Sequence, residues 1–81
     1  MPTILRSDGY RVYFYSHESN EPPHVHIDRG DASAKVWLEP VTLARNLGFR
    51  PPELTRILAL VREHQEKLLG VWHGYFGRQR R

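Results

Sequence analysis

The stretch His24-Val25-His26-Ile27-Asp28-Arg29-Gly30-Asp31-Ala32-Ser33-Ala34-Lys35-Val36-Trp37-Leu38-Glu39 decides the fold. Two alternating runs flank Gly30-Asp31, a two-residue connection of the kind that joins antiparallel strands. In the second run Ala34, Val36 and Leu38 fall on one face, and Ser33, Lys35, Trp37 and Glu39 on the other. In the first, Val25 and Ile27 share one face while His24, His26 and Asp28 share the opposite one. The stretch therefore reads as a hairpin with one side turned to a core, and Pro40 ends it.

Toward the N-terminus, Tyr10-Arg11-Val12-Tyr13-Phe14-Tyr15-Ser16 is rich in aromatic and β-branched residues. Ser7-Asp8-Gly9 precedes it as a turn, and Pro2-Thr3-Ile4-Leu5 precedes the turn, so an opening hairpin is expected. Tyr10, Val12 and Phe14 should share a face, with Arg11, Tyr13 and Tyr15 on the other. His17 to Glu21 is polar and runs into Pro22-Pro23, which forbids regular pairing, so it reads as a loop.

Toward the C-terminus, Val41 to Phe49 is apolar but short and interrupted by Gly48, which predicts a helical turn. Pro51-Pro52-Glu53 then opens a helix, with proline in the first turn and an acid beside the positive end of the dipole. Leu54, Ile57, Leu58, Val61, Leu68, Trp72 and Tyr75 recur at steps of three or four and carry it onward. A helix of about 22 to 25 residues would be about 35 Å long and would overhang the sheet, so its end needs a partner. Gly70, Gly74 and Gly77 predict fraying there. The expected fold is α+β: a small antiparallel sheet of three to four strands packed on one long C-terminal helix. Residues 1–77 are expected to form a single domain and 78–81 a basic tail.

At 81 residues and 9.5 kDa the chain has room for one small core. The net charge of +3 rests on Arg78, Arg80 and Arg81; without them nine cations match nine acids, and the pI near 9.7 partly reflects the tail. The absence of cysteine excludes a disulfide framework, a thiolate metal site and a cysteine nucleophile. No apolar run is long enough to span a membrane, and the first ten residues lack the basic start and apolar core of a secretion signal. A soluble, cytoplasmic protein without membrane association is expected.

The Glu21-Pro22-Pro23-His24-Val25-His26-Ile27-Asp28 segment carries the most distinctive chemistry. Two imidazoles two residues apart can share a divalent metal ion. His24 and Asp28 are about 13 Å apart along a strand, too far to join in holding one ion. A third ligand would come from His17 or Glu21 in the loop. His24 and His26 are equally candidates for acid and base, since imidazole titrates near neutral pH. The alternative is structural: rings that hydrogen-bond across the strand to Tyr13, Tyr15 or the backbone. No complete catalytic constellation is present, with no H-E-x-x-H, phosphate-binding glycine loop or nucleophile elbow, so enzyme and non-enzyme both stay open. His64 and His73 read as surface residues.

Arg11, Tyr13 and Tyr15, with Lys35 and Trp37 on the facing hairpin, form a surface of rings and cations suited to single-stranded nucleic acid. The same composition is also ordinary for half-buried strands. Arg45, Arg50 and Arg56 would extend the positive surface around the helix start. Arg78, Arg80 and Arg81 form a solubilising end or a phosphate contact.

Several segments together resemble a known bacterial family. They are Met1-Pro2-Thr3-Ile4, Gly9-Tyr10, Glu21-Pro22-Pro23-His24-Val25-His26, Ala34-Lys35-Val36-Trp37-Leu38, Pro40-Val41, Leu43-Ala44-Arg45-Asn46, Gly48-Phe49 and Glu53-Leu54 through Trp72. The family is the one called domain of unknown function 4160, and the likeness runs from Met1 to about Phe76. It departs at Pro51-Pro52 and in the arginine-rich end. The resemblance brings no established activity. Its members are small stand-alone proteins often encoded beside another small protein, as toxin–antitoxin pairs are. It therefore implies a binding component of such a two-gene module, acting through a small protein partner or a second copy of itself, and on nucleic acid. A small histidine-dependent, metal-assisted nuclease or hydrolase is the second reading, and a purely structural adaptor the third.

Overall fold

The structure, a computed structural model, describes residues 3–15 and 20–76. Five strands, β1 (Thr3–Ser7), β2 (Tyr10–Tyr13), β3 (His24–Arg29), β4 (Ala32–Leu38) and β5 (Val41–Leu47), lie antiparallel in chain order across one sheet. Two helices, α1 (Pro51–Glu63) and α2 (Gln65–Phe76), follow. The α+β class and the antiparallel sheet agree with the sequence. The sheet has five strands rather than three or four, and two helices stand where one long helix was expected.

The first two hairpins turn where the backbone permits it. Asp8 (φ 53°) and Gly9 (φ 84°) both occupy the left-handed region, as a type I′ turn requires of its two central residues. Gly30, at φ 60°, takes the first place of the β3–β4 loop, where a type II′ turn selects glycine. Val12, Val25, Ile27, Val36 and Leu38 form the inner face of the sheet and bury fully against Ile57 and Val61 of α1 and Leu68 of α2.

Val41 to Leu47 is a strand, not the helical turn that the sequence suggested. Val36 pairs with Leu43 but Lys35 pairs with Arg45, so Ala44 is an extra residue and the strand bulges there. Before the bulge Val41 and Leu43 lie opposite core residues Leu38 and Val36; after it Arg45 and Leu47 lie opposite Lys35 and Ser33, on the outer face. The alternation changes phase within seven residues, which erased the period-two signal. Gly48, at φ 97°, closes the strand, with Ala32 3.4 Å from where its Cβ would stand.

The helix divides at His64, whose backbone (φ −109°, ψ 16°) leaves the helical region for one residue. Its amide is shared between the carbonyls of Leu60 and Val61, both at 3.2 Å, and its Nδ1 reaches the Leu60 carbonyl at 3.0 Å. Gln65 donates its side-chain amide to the Leu38 carbonyl at 2.6 Å, tying the start of α2 to the end of β4. The far end of α2 finds its partner within the chain. Phe14 lies against Trp72, Tyr75 and Phe76 with ring centroids 5.4, 5.2 and 5.4 Å away, and α2 continues to Phe76 despite its glycines. No helix among the described residues is long and apolar enough to cross a membrane.

The bulge makes a test of packing. Leu43→Ser should cost about 1 kcal/mol or more in urea unfolding, because it removes apolar surface beside the core. Leu47→Ser, at a site 59% exposed, should stay within about 0.5 kcal/mol of the parent. Equal losses at the two positions would show β5 to be unbulged.

Candidate functional site

The outer face of the sheet is ordered by register. Tyr13 pairs with His26, His26 with Lys35, and Lys35 with Arg45, so four side chains form a row across β2 to β5. A second row runs Arg6, Arg11, Asp28, Ser33, Leu47, and a third His24, Trp37, Thr42. Arg11, Tyr13, Lys35 and Trp37 therefore lie on one face as expected, with Tyr15 beside them. Arg45, expected to extend the positive surface around the helix start, lies within the face itself, opposite Lys35.

The rings pack on one another. Tyr13 stacks on His26 with centroids 5.5 Å apart and planes 24° from parallel, while Tyr15 meets His26 edge-on at 4.8 Å and Tyr13 at 5.6 Å. The Arg11 guanidinium sits 4.6 Å above the Tyr13 ring, and the Lys35 ammonium 4.7 Å from the Trp37 ring. Lys35 also forms an ion pair with Glu21 at 2.7 Å. Beside the rings lies an open depression of about 320 Å³ lined by Tyr13, Tyr15, His26, Ser33, Ala34, Lys35, Arg45 and Leu47.

The Tyr13 hydroxyl donates to both carboxylate oxygens of Asp28, at 3.1 and 3.0 Å. Burial first, then hydrogen bonding with Tyr15 and Asp28 and the charge of Asp28, pushes the phenol well above its ordinary value of 10.0. The folded state thus holds this proton where the unfolded chain would lose it. The resulting stabilisation is complete below pH 10 and declines as pH rises above that value. Tyr13→Phe should flatten the alkaline arm of a melting-temperature–pH curve while costing about 1 kcal/mol at neutral pH.

The two histidines part company at the end of the sheet. His24 is fully buried, with ring centroids of Trp72 at 5.0 Å, His26 at 5.2 Å and Trp37 at 5.6 Å. Its Nδ1–H donates to the Pro22 carbonyl at 2.9 Å, and Nδ1 lies 3.8 Å from a Glu21 carboxylate oxygen. The Leu38 amide donates to the Pro23 carbonyl at 3.0 Å. The prolines offer no N–H, yet both their carbonyls accept bonds that pin the approach to β3. His26, half-buried, faces the depression.

Among the described residues no group of three His, Asp or Glu side chains is placed to hold a metal ion. His17, the candidate third ligand, lies outside the described residues, as do Arg78, Arg80 and Arg81. Arg6 and Leu47 joined the face unforeseen. The two-residue Asp8-Gly9 turn sets Ser7 opposite Tyr10 and Arg6 opposite Arg11, so Arg6 could have been found by counting back from it. No local signal marked the bulge that turns Leu47 outward.

The fold and this face define a small α+β domain whose open sheet surface combines packed rings with cations. The profile of the family described as Domain of unknown function (DUF4160) matches residues 9–73, and the chain belongs to that family. No curated protein and no solved structure matches the chain significantly.

His24 separates packing from hydrogen bonding. His24→Phe keeps a ring under the two tryptophans but strands the Pro22 carbonyl, and should cost about 1 to 3 kcal/mol in urea unfolding. His24→Ala, which also opens a cavity, should cost more.

Proposed function

We propose that this protein is a binding component that takes single-stranded nucleic acid across the outer face of its sheet. The reading rests on one observation. Like charges stand directly opposite each other on that face, Arg6 against Arg11 and Lys35 against Arg45, on either side of the Tyr13–His26 ring pair. Opposed like charges destabilise a sheet by a few tenths of a kcal/mol to about 1 kcal/mol, and an anionic ligand relieves that cost. Asp28 and Glu21 offset part of the charge and leave the face positive. Tyr13 is only 4% exposed, and the half-buried Tyr15 and His26 rings supply the flat surface near these cations that suits bases joined by phosphates.

Tyr75, 53% exposed beside Phe76 on α2, supports a second contact, with a small protein partner. In that reading the chain is one half of a two-gene module, and the partner rests on α2 while nucleic acid rests on the sheet.

Titration of the full chain with a labelled single-stranded oligonucleotide at several salt concentrations tests the nucleic-acid reading. Engagement of Arg6, Arg11, Lys35 and Arg45 should give a log–log slope near about −3. Replacing Arg6 and Arg11 together by alanine should lower its magnitude by about 1.4. If that replacement changes nothing while deletion of residues 78–81 abolishes binding, the tail carries the affinity and the sheet does not. Absence of salt-dependent binding overturns the reading altogether.

A further inference from the structure

The bulge at Ala44 has an effect beyond shape: it brings Arg45 and Leu47 to the outer face, where an unshifted strand would have turned both toward the core. A bulge that re-aims side chains beside a depression is a common device of functional sheets. Here it sets an exposed cation and an exposed leucine at one wall of the depression of about 320 Å³, with Tyr15 and His26 at the other and Ser33 and Lys35 between. The volume is within the range of small-ligand sites, which begin at about 300 Å³.

The walls differ in chemistry. Lys35 is held by Glu21 at 2.7 Å, whereas no carboxylate among the described residues pairs with Arg45, although Lys35 lies directly across from it. Among the described residues Leu47 and Tyr75 are the large apolar side chains that stand out from the surface, at 59% and 53% exposed. An anion bound by Arg45 would neutralise the repulsion with Lys35, and a flat apolar group between Leu47 and the Tyr15 and His26 rings would cover the leucine. A nucleotide has both parts, a phosphate for Arg45 and a base for the rings.

We propose that this depression is a nucleotide subsite, occupied by one unit of the bound single strand. The subsite rests on the nucleic-acid reading above and adds to it a defined place and defined residues. Arg45 supplies the phosphate contact, Tyr15 and His26 the stacking surface, and Leu47 the apolar wall. Arg6 and Arg11, on the far side of the Tyr13 ring, contact only the flanking backbone.

Adenosine 5′-monophosphate, adenosine and inorganic phosphate, each titrated into the full-length protein and followed by amide chemical shifts, test it. The nucleotide should saturate, with shifts centred on Tyr15, His26, Ser33 and Leu47, and should bind at least about tenfold tighter than adenosine or phosphate alone. Arg45→Ala and Leu47→Asp, both at exposed positions, should each weaken the nucleotide about tenfold or more. Arg6→Ala should leave it within about twofold while still weakening the oligonucleotide. Phosphate binding as tightly as the nucleotide, or indifference to Arg45→Ala, overturns the subsite. If the oligonucleotide still binds with its salt dependence in that case, the subsite alone falls; if neither oligonucleotide nor nucleotide binds, the functional reading falls with it.

Discussion

The register of β3 against its neighbours is the constraint on which the rest depends. Because side chains alternate with a period of two, a slip of one residue would carry Val25 and Ile27 to solvent and draw His26 and Asp28 into the core. The pairing is held at both ends. Gly30 fixes the turn into β4, and the carbonyls of Pro22 and Pro23 accept from His24 and Leu38 at the other end. With β3 fixed, Tyr13, His26 and Lys35 must share a row, and Asp28 must stand where it can accept the Tyr13 hydroxyl. The ring cluster and its cations are consequences of that registration rather than separate features.

The two faces of the sheet differ in what they contribute to stability. Inside, full burial of Val12, Val25, Ile27, Val36 and Leu38 against α1 and α2 supplies the apolar contribution, on the order of 2 kcal/mol per side chain before entropy is subtracted. Outside, opposed cations cost a fraction of that per pair. A domain of this size has a small margin, so its charged face is tolerable only because the inner face is closely filled. The nine cations and nine acids that remain when Arg78, Arg80 and Arg81 are set aside are not spread evenly over the surface. Charge is arranged by register, which sets Arg6 opposite Arg11 and Lys35 opposite Arg45 on the outer face.

Much of this was legible in the sequence because it depends on neighbours close along the chain. The β3–β4 hairpin follows from alternation around Gly30-Asp31, the opening hairpin from Asp8-Gly9, and the common face of Arg11, Tyr13, Lys35 and Trp37 from parity alone. The misread parts depend on tertiary contacts. β5 hides its strand pattern because the bulge reverses its parity at Ala44, and the same bulge brings Arg45 onto the outer face beside Lys35. The break at His64 leaves the apolar repeat almost undisturbed, since one non-helical residue shifts the stripe very little. What marks it is an imidazole competing for the Leu60 carbonyl and a glutamine reaching β4, neither of which periodicity records.

The histidine pair shows how far spacing alone can carry chemistry. Two imidazoles on one strand face suggest equivalent groups, and alternation does place His24 and His26 on the same side. Position along the strand then separates them. His24 is the first residue of β3, where α2 brings Trp72 up to the sheet's end, so it is enclosed by two indoles and spends its Nδ1–H on a backbone carbonyl. His26, two residues further on, has moved about 7 Å along the strand and lies half-buried against Tyr13 and Tyr15. The Pro-Pro-His-Val-His segment therefore combines a lock and a contact: the first histidine fixes where the strand begins, and that fixes where the second one points.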